Sequence, residues 1–164
     1  MIKFLATILL VVSPALAFAQ DRPNVADTQS FGVRLFLVPD ADAFVEMWSK
    51  PETPKLTAFT KTQVNSKFAG VILYWGGGSD NEGQCNIQLQ TKVLEGTTVL
   101  ADAPEMPLCQ KHQPPQPGVL ALSDTIIDLV ASGEPASLVV QVTLTDKINN
   151  ETLSVSAPIE VLSE

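Results

Sequence analysis

Residues 84–94 (QCNIQLQTKVL) alternate, with Cys85, Ile87 and Leu89 on one side and Asn86, Gln88 and Gln90 on the other. Such period-two alternation marks a strand with one buried face. Residues 137–145 (SLVVQVTLT) repeat it, and residues 153–162 (LSVSAPIEVL) read as their partner across a hairpin at 146–150. Pro158 assigns that last strand to an edge or a bulge, because proline has no N–H for a ladder. Residues 31–38 (FGVRLFLV), closed by Pro39, and 70–75 (GVILYW) are more continuously apolar, as strands deeper in a core are. Weaker signals predict an edge strand in 56–64, a hairpin partner in 97–101 after a turn at Glu95-Gly96, and two short segments at 119–122 and 125–130. A turn at 132–135 follows them. One stretch has helical period: Asp40 stands as N-cap before ADAFVEMW, in which Phe44, Met47 and Trp48 share a face that packs on the body of the domain.

About seven or eight short strands and one helix near the N-terminus predict an all-β fold, a two-sheet antiparallel sandwich, with a small barrel as the alternative. Residues 104–118 (PEMPLCQKHQPPQPG) break the pattern. Five prolines keep this arm out of helix and sheet interior, and Pro114-Pro115 favours an extended path.

The first nineteen residues change the picture of compartment. Lys3, the apolar run 4–12, and Ala17-Phe18-Ala19 have the order of a secretory signal peptide cut after Ala19. The run is shorter than the about 20 apolar residues a membrane span needs. The predicted organisation is therefore a signal peptide over 1–19, a flexible lead-in over 20–30, and one sandwich domain over 31–164. After signal cleavage the chain is expected to be periplasmic or secreted, without membrane insertion.

Ten basic residues against 18 acidic give a net charge of −8, and loss of Lys3 takes this to −9. Nucleic acid is excluded as the main partner, since binding it requires a basic face. Cys85 and Cys109 are the two cysteines. In an oxidising compartment an isolated pair predicts a disulfide, which would pin the proline arm to the strand carrying Cys85.

Candidate chemistry centres on residues 73–85 (LYWGGGSDNEGQC). Gly78 and Gly83 have the spacing of a phosphate-binding loop, but Gln84 stands where its lysine belongs and Cys85 where its hydroxyl belongs. Asp80, Asn81 and Glu82 offer calcium-type oxygens, yet consecutive residues rarely converge on one ion, and a plain solvated turn is the expectation. Met106, Cys109 and His112 are soft-metal ligands by type. His112 is the single histidine, so a blue-copper centre is excluded by count, and a disulfide would remove the Cys109 thiolate. Met106 and His112 remain as candidate ligands beside the expectation of no metal and no cofactor. A Ser-His-Asp triad would have to use His112, with no G-x-S-x-G elbow to supply the serine. A carboxylate pair for glycoside cleavage is marked by nothing.

What remains is recognition. Tyr74, Trp75, Gly76, Gly77, Gly78, Asp80, Asn81 and Glu82 form a candidate contact loop, an aromatic rim beside adaptable glycines. If Tyr74 and Trp75 alternate as strand residues do, one belongs to the core and one lies outside.

The segments "FGVRLFLVPDADAF", "GVILYW" with its glycine loop, "CNIQLQTKVLEG", "VVQVTLTD" and "ETLSVSAPIEV" together resemble a family of small exported bacterial proteins. The resemblance implies an immunoglobulin-like β-sandwich and transfers no active-site residue. The expected function is an exported, non-catalytic binding or accessory module with an unknown protein or small-ligand partner. A periplasmic metal-handling protein and a carbohydrate-active enzyme without a recognisable motif are the alternatives.

Overall fold

The computed structural model describes residues 22–52 and 54–163, and the expected signal peptide lies outside them. Ten strands and one helix follow in the order β1 (Val25–Asp27), β2 (Phe31–Val38), α1 (Ala41–Trp48), β3 (Lys61–Gln63), β4 (Lys67–Gly76), β5 (Asn86–Glu95), β6 (Thr98–Asp102), β7 (Met106–Gln110), β8 (Ala121–Val130), β9 (Ala136–Asp146) and β10 (Glu151–Leu162). They form two sheets. One has the order β1-β2-β4-β8; the other runs β3-β10-β9-β5-β6, with β7 also paired to β5. All the pairings are antiparallel except β3 with β10.

The two sheets meet in one core. Phe31, Val33 and Leu35 of β2 and Ile72 and Tyr74 of β4 pack with Ile87 and Leu89 of β5, Val140, Val142 and Leu144 of β9, and the inner residues of β10. Strand β4 lies between β2 and β8 and is buried on both faces. Its odd-numbered residues Ala69, Val71 and Leu73 form a second apolar cluster with Phe44 of α1 on the outside of the sheet. This explains both its unbroken apolar run and the presence of a helix. Asp40 caps α1 as expected, its Oδ1 accepting the N–H of Ala43 at 3.0 Å.

Several boundaries differ from the expectation. The lead-in contains β1, which pairs with β2 through Val25–Asp27, and the N–H of Ser156 in the other sheet donates to the Pro23 carbonyl at 2.7 Å. The two segments expected at 119–122 and 125–130 belong to one strand, β8, which starts at Ala121 and is interrupted by a register shift opposite Val71 and Leu73. The proline arm contains β7, which takes a position on the edge of β5 with a shift at Ile87/Gln88. Pro158 obeys the edge rule locally. Strand β3 pairs with β10 only over Glu160–Leu162, and the side where the Pro158 N–H would point is open there.

Candidate functional site

Strand β4 belongs to one sheet and β5 to the other, so residues 77–85 cross between the sheets at one end of the molecule. Each of the three consecutive glycines donates its N–H to a fixed acceptor: Gly76 to the Pro115 carbonyl at 3.0 Å, Gly77 to the Ser30 carbonyl at 3.0 Å, and Gly78 to Asp146 Oδ2 at 2.6 Å. Side chains are excluded for a second reason. A Cβ on Gly76, which has φ +72°, would lie 2.0 Å from the Ser30 oxygen, and one on Gly78 would lie 2.8 Å from the Ile148 side chain. The glycines are there because the Ser30 carbonyl at Gly76, the Ile87 side chain at Gly77 and the Ile148 side chain at Gly78 leave no room for a Cβ, and their N–H groups are engaged by acceptors within the protein.

Asp146 organises this end of the fold. Its side chain is fully buried, and Oδ1 accepts from Ile148 at 2.9 Å and Asn149 at 3.4 Å while Oδ2 holds Gly78. A carboxylate can sit in such a place because backbone donors satisfy both oxygens. Asp146 thus joins the glycine loop to the β9–β10 turn. Nothing in the local sequence distinguishes this aspartate from an ordinary hairpin residue, because its partner is 68 positions away.

The predicted disulfide is present between Cys85 and Cys109, with Cα atoms 5.7 Å apart and no free cysteine among the described residues. The Cys85 N–H donates to the His112 carbonyl at 2.8 Å. Loop and arm therefore touch through the disulfide and through the hydrogen bonds at Cys85 and Gly76. Between them lies an open cleft of about 300 Å³, walled by Gly76, Gly77, Ser79 and Gly83 on one side and residues 113–117 on the other.

The contact-loop residues divide by environment. Tyr74 points into the core and is buried. Burial pushes its hydroxyl up from the ordinary 10.0, and the negative charge of Asp124 pushes it the same way. Tyr74 is therefore not part of an exposed rim, because its strand position sends it inward. Trp75 is half-buried on the opposite face, lying across Gly32 of β2, where a Cβ would come 2.2 Å from its Nε1. Asp80, Asn81 and Glu82 are exposed. Asp80 Oδ1 accepts from the N–H groups of Glu82 and Gln84, both at 2.9 Å, so this carboxylate closes the turn.

Met106 opens β7 and is exposed, and His112 follows the end of that strand, past the turn at Lys111. His112 turns back onto the disulfide, with Nδ1 3.6 Å from Cys109 Sγ and 3.1 Å from the Gln113 carbonyl.

Two further concavities lie at the helix. Phe36, Phe44 and Trp48 stack in series, with ring centroids 6.4 and 6.1 Å apart, and a groove of about 260 Å³ runs beside them, lined also by Met47 and Leu56. The i, i+3, i+4 spacing in α1 identified this apolar face, and it does pack on the sheet, Phe44 buried and Met47 and Trp48 half-buried against the same cluster. A more polar cleft of about 380 Å³ carries Asp40, Asp42 and Asp128, with Asp40 engaged in capping α1.

Comparison with known proteins returns no matching protein family and no matching curated protein. Among solved structures, a family 123 glycoside hydrolase from Clostridium perfringens aligns with 82% of this chain at 12% identity and a TM-score of 0.47. The aligned part is 27% of the hydrolase chain.

Proposed function

We propose that this protein is an exported, non-catalytic binding module of immunoglobulin-like sandwich type, whose contact surface is the glycine loop together with the proline arm. The observation that supports this most is the fastening of that surface. Loop, arm, the β9–β10 turn and Ser30 converge at one end of the two sheets and are tied by the disulfide, Asp146 and backbone hydrogen bonds. A surface fixed before its partner arrives loses less conformational entropy on binding. Proline rings and bare glycine backbone add shape and carbonyl acceptors without mobile side chains. Loops gathered at one end of a sandwich are also how immunoglobulin-like domains present recognition residues. The disulfide is compatible with an oxidising, extracytoplasmic compartment, which supports the export reading. The partner is a protein or a small ligand.

The test is photo-crosslinking in the exporting cell, with the crosslinker placed at Ser79 or Gln116 on the cleft rim and, as control, at Glu134 in the distant turn. Adducts from the two rim positions and none from Glu134 are expected. Adducts from Glu134 alone, or none from any position in cells where the protein is abundant, would refute the assigned surface.

A further inference from the structure

Three ligand atoms stand together where the proline arm meets the start of β5: the sulfurs of Cys85 and Cys109 and a ring nitrogen of His112, all within 4.8 Å of one another. In the oxidised protein the sulfurs are bonded to each other and cannot hold a metal. We propose that reduction of this disulfide converts the cluster into a Cys₂His site for a thiophilic closed-shell cation, zinc in the first instance, so that metal binding is gated by redox state.

The geometry carries this in three ways. A tetrahedral zinc with Zn–S about 2.3 Å and Zn–N about 2.05 Å requires an S···N edge of about 3.5 Å. The observed separation of Cys109 Sγ from His112 Nδ1 is 3.6 Å. Second, the backbone that positions the ligands is held by hydrogen bonds in addition to the S–S bond. Cys109 is held opposite Ile87 in the β5–β7 pairing, and the Cys85 N–H is bonded to the His112 carbonyl at 2.8 Å. Lys111, at φ 63° in the left-handed region, is what turns the chain so that the imidazole returns over Cys109. Third, the environment suits capture. Both cysteines are buried, which strengthens thiolate–metal attraction, while His112 is exposed and leaves an approach and a fourth position for water.

The chemistry balances with a dithiol as reductant. Two electrons and two protons pass to the protein, giving two cysteine thiols, and the dithiol leaves as its own disulfide. Zinc then displaces the two thiol protons. Nδ1, which in the oxidised form lies within donating distance of the Gln113 carbonyl, must bind as the unprotonated nitrogen, with the ring proton on the solvent-facing Nε2.

The protein is reduced with a phosphine, which takes its oxygen from water and brings no competing thiol, and is then titrated with Co²⁺ and back-titrated with Zn²⁺. The reduced protein should take up one equivalent, with the thiolate-to-cobalt charge-transfer and ligand-field bands of a tetrahedral site. The oxidised protein should show none. His112→Ala should weaken binding at least 10-fold, and zinc should shield both cysteines from alkylation in the parent but not in H112A. Circular dichroism covers the case in which reduction loosens the fold, for zinc must then restore it. The proposal is overturned if the reduced protein shows no thiolate band, if H112A binds as tightly as the parent, or if zinc fails to refold a loosened chain.

Discussion

Gly32 and Trp75 face each other across the β2–β4 pairing, and the indole occupies the space a side chain at residue 32 would need. Gly32→Ala should therefore displace the ring and destabilise the fold by about 1–3 kcal/mol, as overpacking does, measurable by urea denaturation. One strand position earlier, Tyr74 turns the other way. Its folded-state pKa is raised above 10.0, first by burial and then by Asp124. The folded protein thus holds this proton more tightly than the unfolded chain. The resulting stability is complete below about pH 10 and is lost as the pH climbs through the raised value. Tyr74 is the single tyrosine, so tyrosinate absorbance reports it directly. Its midpoint should lie above that of the urea-unfolded protein, and Tyr74→Phe should remove this contribution to alkaline destabilisation.

At the scale of elements, the strands were legible because alternation is local. Phe31–Val38 and Ala41–Trp48 fall where the sequence pattern puts them, since Pro39 ends one and Asp40 caps the other. The elements that escaped, β1 and β7, are short strands in polar or proline-rich sequence whose pairing comes from the neighbouring strand rather than from their own composition. The same limit applies to the candidate site. Cys85 and Cys109 could be paired from compartment and count, but Asp146 is tied to Gly78 only by the fold. Asp146→Ala leaves the buried N–H of Gly78 and the half-buried N–H of Ile148 without their acceptor, at about 2–4 kcal/mol by chemical denaturation. The conservative Asp146→Asn should also destabilise, because one carboxylate oxygen becomes a donor facing an N–H. Replacing both cysteines by serine removes a cross-link spanning 24 positions and should cost roughly 3 kcal/mol on the chain-entropy estimate.

At the scale of the whole molecule, the two sheets bring residues from distant parts of the chain to one end. Ser30, residues 76–85, the arm over 111–118 and the turn over 147–150 are joined there by the bonds described above. The triple glycine suggested adaptability when met as sequence. In the fold it marks a junction where the Ser30 carbonyl and the Ile87 and Ile148 side chains leave no room for a Cβ, and in the function proposed above this fixed junction is the preformed contact surface. Amide hydrogen exchange in the oxidised protein tests that claim most directly. The N–H groups of Gly76, Gly78 and Cys85 should be strongly protected, while Gly133, in the exposed distant turn, exchanges freely. Exchange at Gly76 and Gly78 as fast as at Gly133 would contradict it.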